Sequence, residues 1–390
     1  MPFYNNTRMD KKQLAWELMR RVFCISADRG INCVGSRWMR RYINPVNIKK
    51  GVMMSRIKIG QIGIGHNHGS AKMAALRNLP ELFEIVGVAE SDPVWREKRS
   101  GLSAYAGLPF LSEEEVLQYP GLDAVLVEKD VPELIPTALQ CAAQGLHIHL
   151  DKPAGESLAD FRRLLDICDS RSLALQQAYV YRYNPALRFC QKAVQEGGLG
   201  DVFEIHAVMS RDDSENPDYR RWLAQFKGGA MYIFAGYLID QVLLMLGKPD
   251  KVTPFMKQTR KDGLVDNGLA VLEYASATAT IRVSVVEIDG MRHRRFIICG
   301  TGGSVELCPI EKAAYYVDPL QVRLTLKKAT GGYPAGTHLI DCGPLGCRYG
   351  AQLREFADII NGKIANPYPL QHELLLHQTL LAACDYPEEE

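Results

Sequence analysis

Residues 56–177 alternate short apolar runs with longer segments of helical character, and this alternation restricts the fold more than any other feature of the chain. "RIKIGQIGI" reads as a strand and "GSAKMAALRNLP" as a helix that Pro80 ends. "EIVGVAE" is a second strand, and "SEEEVLQY" opens a helix with Ser112 as N-cap and Glu115 completing a capping box. Strand "LDAVLVE", helix "VPELIPTALQCAAQG", strand "LHIHL", helix "SLADFRRLLDICDSRS" and strand "LALQQAY" follow. Strands and helices alternating at this length predict an α/β domain with a doubly wound parallel sheet of Rossmann type.

The first strand runs into "GIGHNHG". Gly63 and Gly65 fit the G-x-G-x-x-G pattern of a dinucleotide loop, His68 stands where the third glycine belongs, and Gly69 follows it. Glycines let backbone amides approach a pyrophosphate at a helix N-terminus. Glu90, at the end of the second strand, lies 25 residues after Gly65. That is near the spacing of roughly twenty expected for the carboxylate that holds the adenosine ribose. A carboxylate accepts from a free 2′-hydroxyl and repels a 2′-phosphate, so NAD is expected over NADP. Asp92 competes for that role, and His66 and His68 are further candidates for cofactor contact.

Composition narrows the alternatives. Apolar residues make up 47% and charged residues 23%, as in a soluble globular protein, and 390 residues suggest two domains. The longest apolar stretch, residues 230–247, is interrupted by Asp240 and Gln241. It is read as one buried helix, because a membrane span needs about 18 uninterrupted apolar residues. The ten cysteines include no C-x-x-C pair, so reduced cysteines and a cytoplasmic location are expected. Residues 1–54 carry a formal charge of +8 and the remainder −7. An acidic main body disfavours nucleic acid as partner. The basic segment is expected to lie outside the fold, as a disordered extension or a start-site artefact. "KKGVMM" can be encoded by a purine-rich stretch resembling a ribosome-binding site ahead of Met53 and Met54.

Beyond the first domain, "HIHLDKPAG", "YRYNPALR" (181–188), "GGLGDV" (197–202), "DNGLAVLEY" (266–274), "CGTGGSVEL" (299–307) and "HELLLHQTLLAAC" (372–384) occur in this order. With the glycine loop, they resemble the glucose–fructose oxidoreductase/inositol dehydrogenase/MocA (Gfo/Idh/MocA) family from about residue 56 to the end. The resemblance implies a nucleotide-binding Rossmann domain over 55–177. It implies an α+β domain over 178–390 with a large, mostly antiparallel sheet that pairs copies into dimers or tetramers. It further implies hydride transfer between nicotinamide and a secondary hydroxyl of a sugar, inositol or related polyol. Lys152 matches the family lysine beside the reacting hydroxyl, and cofactor contacts carry over to Lys129, Asp151 and Pro153.

The chain departs from its family at the chemistry. Members carry G-G-G-x-h-x-D-x-G-x-H-x-x-D; here residues 227–240 read "KGGAMYIFAGYLID", which places Ile233 at the aspartate and Tyr237 at the histidine. Asp240 alone survives. Tyrosine, with a pKa of about 10, is a poor base unless something depresses it. An ammonium at Lys152 within several ångströms would do so. On one continuous helix, positions 233, 237 and 240 share a face. Arg182, His206, Tyr232 and Asp240 are the substrate-contact candidates, with Arg211, Asp212 and Asp213 beside the pocket. His147 and His149 alternate on one strand, but two ligands are too few for a metal, and no metal is expected. The alternatives to a dehydrogenase are an NAD-dependent glycosidase of the same superfamily or a catalytically impaired NAD- or sugar-binding homologue.

Overall fold

Six short strands carry the first half of the described chain: β1 (Ile57–Ile62), β2 (Phe83–Ala89), β3 (Phe110–Leu111), β4 (Ala124–Val127), β5 (His147–Leu150) and β6 (Leu175–Gln177). They pair in the order β3-β2-β1-β4-β5-β6, every pair parallel. The structure is a computed structural model, and it describes residues 56–311 and 318–387. The expectations for residues 1–54 lie outside the described residues. Parallel strands need crossovers, and here α1 (Asn67–Arg77), α3 (Glu113–Leu117), α4 (Val131–Ala143) and α5 (Leu158–Ser170) provide them, with a short α2 (Pro93–Arg99) after β2. Ser112 caps α3 in the expected box with Glu115. Ile59, Ile62, Val88, Val125, Leu126 and Ile148 are wholly buried. Each such side chain contributes about 1.5–3 kcal/mol by leaving water.

The second sheet combines β7 (Val202–Ser210), β8 (Lys251–Lys257), β9 (Asn267–Glu273), β10 (Thr278–Ser284), β11 (Arg295–Gly300), β12 (Gly303–Leu307), β13 (Gln321–Leu326) and β14 (Gly336–Asp341), and the same part of the chain holds α6 (Pro185–Gln195), α7 (Pro217–Leu223) and α10 (Gly350–Ile360). The sheet order is β14-β13-β12-β11-β7-β10-β9-β8, antiparallel except for the β7–β10 pair. Both sheets follow the architecture expected from the sequence. Strands β8, β13 and β14 do not stand out in the sequence. β8 contains Pro254, which removes a ladder donor and is tolerated because β8 is an edge strand.

The apolar stretch 230–247 corrects one expectation. It forms two helical segments, α8 (Gly229–Phe234) and α9 (Gly236–Leu246), joined at Ala235. The amides of Leu238 and Ile239 both reach the Ala235 carbonyl at 2.9 Å, so the hydrogen-bond ladder is irregular there. A Cβ on Gly236 would come within 2.6 Å of the Tyr179 hydroxyl, so only glycine allows α9 to begin this close. Both segments are buried and pack with α11 (Leu370–Ala383) against the second sheet. Among the described residues, no helix is long and apolar enough to cross a membrane, and the eight cysteines are free.

Candidate active site

The order of the first sheet reverses between β1 and β4, and the loops leaving those strands meet there. Gly63 has φ +95°, and a Cβ on it would lie 2.5 Å from the Lys129 amide nitrogen, so the glycine loop rests directly on the backbone after β4. A Cβ on Gly65 would meet the Trp95 indole at 2.8 Å. Gly69, in the first turn of α1, faces the Gln61 side chain and Tyr105. The close approach of helix to strand that the sequence leaves open at His68 is therefore made at Gly69.

Glu90 has a structural task. Its carboxylate accepts from the amides of Ile64 at 2.8 Å and Asp92 at 2.9 Å, which ties the glycine loop to the end of β2. Asp92 caps α2 through the amides of Val94 and Trp95. Glu90 also lines a cavity of about 750 Å³ with Ser91 and Lys129. The Lys129 ammonium is held by Glu113 at 2.7 Å, Ser91 at 2.9 Å and Glu133 at 3.3 Å. Burial lowers its pKa, but Glu113 and Glu133 outweigh that and raise it.

A second cleft, of about 810 Å³, runs from Gly65, His66 and His68 past Lys152 to the second domain's residues. Lys152 is buried; its ammonium donates to the Ile233 carbonyl at 3.3 Å and lies 4.7 Å from the centre of the Tyr237 ring. A desolvated cation over such a face gains about 2 kcal/mol. The ammonium therefore meets a backbone carbonyl at position 233 and a ring face at position 237. Tyr181, Tyr219, Trp222, Phe234 and Tyr349 form an aromatic wall, and Trp222 donates from its indole to Asp130 at 3.0 Å, across the cleft. Arg211 pairs with Asp213 at 2.5 Å, and Arg294 pairs with Glu311, which accepts from the Tyr181 hydroxyl at 3.0 Å. Arg211 and Asp212 line this cleft.

Below the glycine loop, Lys72, Glu128 and Asp151 form a fully buried charged cluster. Lys72 lies 2.6 Å from Glu128 and 3.4 Å from Asp151. Asp151 accepts from the Lys152 amide at 2.8 Å, and its other oxygen faces Nδ1 of His66 at 2.8 Å and of His68 at 3.2 Å. Burial alone would raise the Asp151 carboxyl, but Lys72 and the two imidazoles hold it well below the usual carboxylate range. Burial pushes His68 well below its ordinary value, so that imidazole is neutral. His149 is buried edge-on to Phe356, 5.7 Å between ring centres, and burial pushes it down to about 3. His147 accepts from the Ala174 amide at 2.9 Å. Neither histidine lines the cleft.

None of the four substrate-contact candidates lines the cleft. Arg182 is buried, pairing with Glu373 at 2.7 Å and Asp240 at 2.8 Å, and His372 closes on Asp240 at 2.9 Å. The helix break at Ala235 leaves Ile233 and Tyr237 beside Lys152 while Asp240 turns into this knot, so the three positions do not share the cleft face. Tyr232 packs between Phe226 and Tyr386. His206 lies on β7, bonded to Thr280 at 2.9 Å and facing Glu204 at 3.1 Å. Sequence reading overlooks Trp95, Trp222, Arg294 and Tyr349, which line the cleft. The "DYRRW" run ahead of α8 is the one local hint of an aromatic wall.

Residues 187–306 match the family model described as the GFO/IDH/MocA C-terminal domain. The chain is 27% identical over 245 residues to a D-xylose 1-dehydrogenase (NADP(+)) of Haloferax volcanii, covering 60% of this chain and 70% of that one. It is 25% identical over 251 residues to human trans-1,2-dihydrobenzene-1,2-diol dehydrogenase, covering 61% and 72%. In fold it is similar to a levoglucosan dehydrogenase solved with NADH and levoglucosan, at a TM-score of 0.71 and 17% identity, covering 84% and 96%. Residues 187–306 thus match that family's C-terminal domain, the relatives in sequence are dehydrogenases, and the solved neighbour shares the two-sheet fold.

Proposed function

We propose that this protein is a nicotinamide-dependent oxidoreductase that moves hydride between its cofactor and the carbon bearing a secondary hydroxyl of a sugar, inositol or related polyol. The observation that carries this reading is the buried Lys152 ammonium, 4.7 Å over Tyr237, in the cleft that begins at the glycine loop. Residues 55–177 hold the nucleotide and residues 178–390 the substrate. A dinucleotide suits the residues present. The sheet order reverses at the loop, Gly65 keeps it flat beneath Trp95, and one cavity opens beside Glu90 while another opens beside Lys152. When bound, the cofactor supplies the hydride acceptor or donor. Lys152 polarises the substrate oxygen, Tyr237 exchanges the hydroxyl proton, and the aromatic wall excludes water and stacks on the sugar face. NAD is favoured, because Glu90 lines the nucleotide cavity and Lys129 is already held by Glu113 and Glu133 rather than offered to a 2′-phosphate.

The test is a screen of inositols, hexoses, sugar acids and amino sugars with NAD and NADP, alongside direct measurement of nucleotide binding. NADH formation with a polyol is the expected result. A protein that binds neither nucleotide and turns over nothing sinks the reading. Cleavage of a chromogenic glycoside without net NADH assigns it to the glycosidase alternative, and NAD binding without turnover to an impaired homologue. Tyr237→Phe is expected to abolish turnover while leaving NAD affinity within a few fold; full activity in that variant removes Tyr237 from the chemistry.

A further inference from the structure

We propose that His66, His68 and Asp151 form a binding site for a first-row divalent metal ion, open on one side to the cleft. Nδ1 of His66, Nδ1 of His68 and a carboxylate oxygen of Asp151 all lie within 4.8 Å of one another. Both imidazoles turn Nδ1 toward the Asp151 carboxylate, His66 at 2.8 Å from one oxygen and His68 at 3.2 Å from both, although both rings border the large cleft. The other Asp151 oxygen takes the Lys152 amide at 2.8 Å, which fixes the carboxylate and leaves its partner oxygen to the histidines. Hydrogen bonds that orient a ligating carboxylate in this way are a regular part of metal sites.

The neighbouring charges permit a cation. Lys72 lies 2.6 Å from Glu128 and 3.4 Å from one Asp151 oxygen, while the other Asp151 oxygen faces the imidazoles, so an ion at the imidazoles shares the Asp151 charge with Lys72. The Lys152 ammonium points elsewhere, to the Ile233 carbonyl and the Tyr237 ring. The positive end of α1 opposes a cation. Affinity must therefore come from the three ligand atoms, and micromolar rather than picomolar binding is expected. For zinc, metal–ligand distances of about 2.0–2.2 Å imply ligand atoms roughly 3.3 Å apart in a tetrahedron, so the two nitrogen–oxygen distances of 2.8 and 3.2 Å open by a few tenths of an ångström, and the two nitrogens, within 4.8 Å of each other, settle around the ion. Two imidazoles and one carboxylate, with no thiolate, select zinc, cobalt, manganese or ferrous iron over calcium or magnesium.

The fourth position faces the cleft, and an oxygen ligand, water or a substrate hydroxyl, completes the shell there. Three protein ligands and one open position are the arrangement of a catalytic rather than a structural ion. Metal occupancy stands apart from the redox reading. Only the use of the ion to polarise a substrate hydroxyl rests on it. Ligation also takes the His66 lone pair from the His68 amide, which it accepts at 3.2 Å as the cap of α1.

The experiment uses tag-free full-length protein, stripped with EDTA and titrated with Zn²⁺ by calorimetry and with Co²⁺ by visible absorption. One equivalent bound at micromolar affinity, with Co²⁺ bands of a nitrogen–oxygen site, is expected. His66→Ala and His68→Ala should each weaken binding at least 100-fold, with folding checked by circular dichroism. Wild-type protein that shows no Co²⁺ bands and no Zn²⁺ heat overturns the site whatever the variants do, and leaves the Asp151 charge to Lys72 and the His68 imidazole. Binding that is unchanged in both variants overturns it equally. Neither readout needs turnover, so failure here is distinct from failure of the dehydrogenase assignment.

Discussion

Two buried ionic clusters occupy this molecule, and they differ in one respect. In the Arg182 knot, the guanidinium, Asp240, Glu373 and His372 direct their hydrogen bonds at one another, and Arg182 stacks 4.0 Å from the Tyr368 ring. In the Asp151 cluster, Lys72 and Glu128 are sealed, but His66 and His68 keep 13% and 19% exposure and border the cleft. Full internal satisfaction makes the first cluster architectural. His372 of the first cluster is nearly as exposed as His66, at 12%, but lines neither cleft; position beside Lys152, not exposure, makes the second available for chemistry. A buried charge is therefore weak evidence of function until its unsatisfied side is known.

The sharpest way to break this contrast is to remove one residue from each side. Lys152→Met should lower kcat by about 10³-fold, within the range of a lost proton-positioning group, while the melting temperature stays near wild type. Kinetics and thermal melting on the same preparation check it, and a stable, fully active variant ends the assignment. Asp240→Ala should do the reverse. It leaves Arg182 under-compensated and should cost about 3–5 kcal/mol in chemical denaturation, with KM of the folded fraction unchanged. A large rise in KM instead would return Asp240 to the substrate site.

Acid should act through the protonation that buried histidines exclude. Burial pushes His149 and His377 down to about 3, and it also lowers His68. Each contributes stability in full above the unfolded value of about 6.5, and that contribution falls as pH drops below it. At pH 5 the loss is roughly 2 kcal/mol for each of His149 and His377. Denaturation at pH 7 and pH 5 measures it, and His377→Phe should flatten the difference. Asp151 and Asp240, held low by their cationic partners, add a further loss only as pH falls below about 4. The smallest effect is expected where the two halves touch. Trp222→Phe deletes the bond to Asp130 and should cost about 1 kcal/mol, read as a several-fold rise in KM.

What the sequence by itself determined is the repeating β-α order, the glycine loop, the Ser112 cap and the position of Lys152 at the end of a strand. Each of these depends on neighbours within a few residues, where periodicity and backbone preference act. Which charged groups face the cleft was decided only by the tertiary structure. His68 meets Asp151 across 83 residues, and Arg182 meets Glu373 across 191. Arg182 and Asp240 look like substrate ligands in the sequence because a charge carries no local mark of its partner. The break at Ala235 was hidden for a similar reason, since the close approach at Gly236 is set by Tyr179, a residue far along the chain. Apolar spacing encodes burial locally, whereas the direction of a buried charge is an agreement between distant segments.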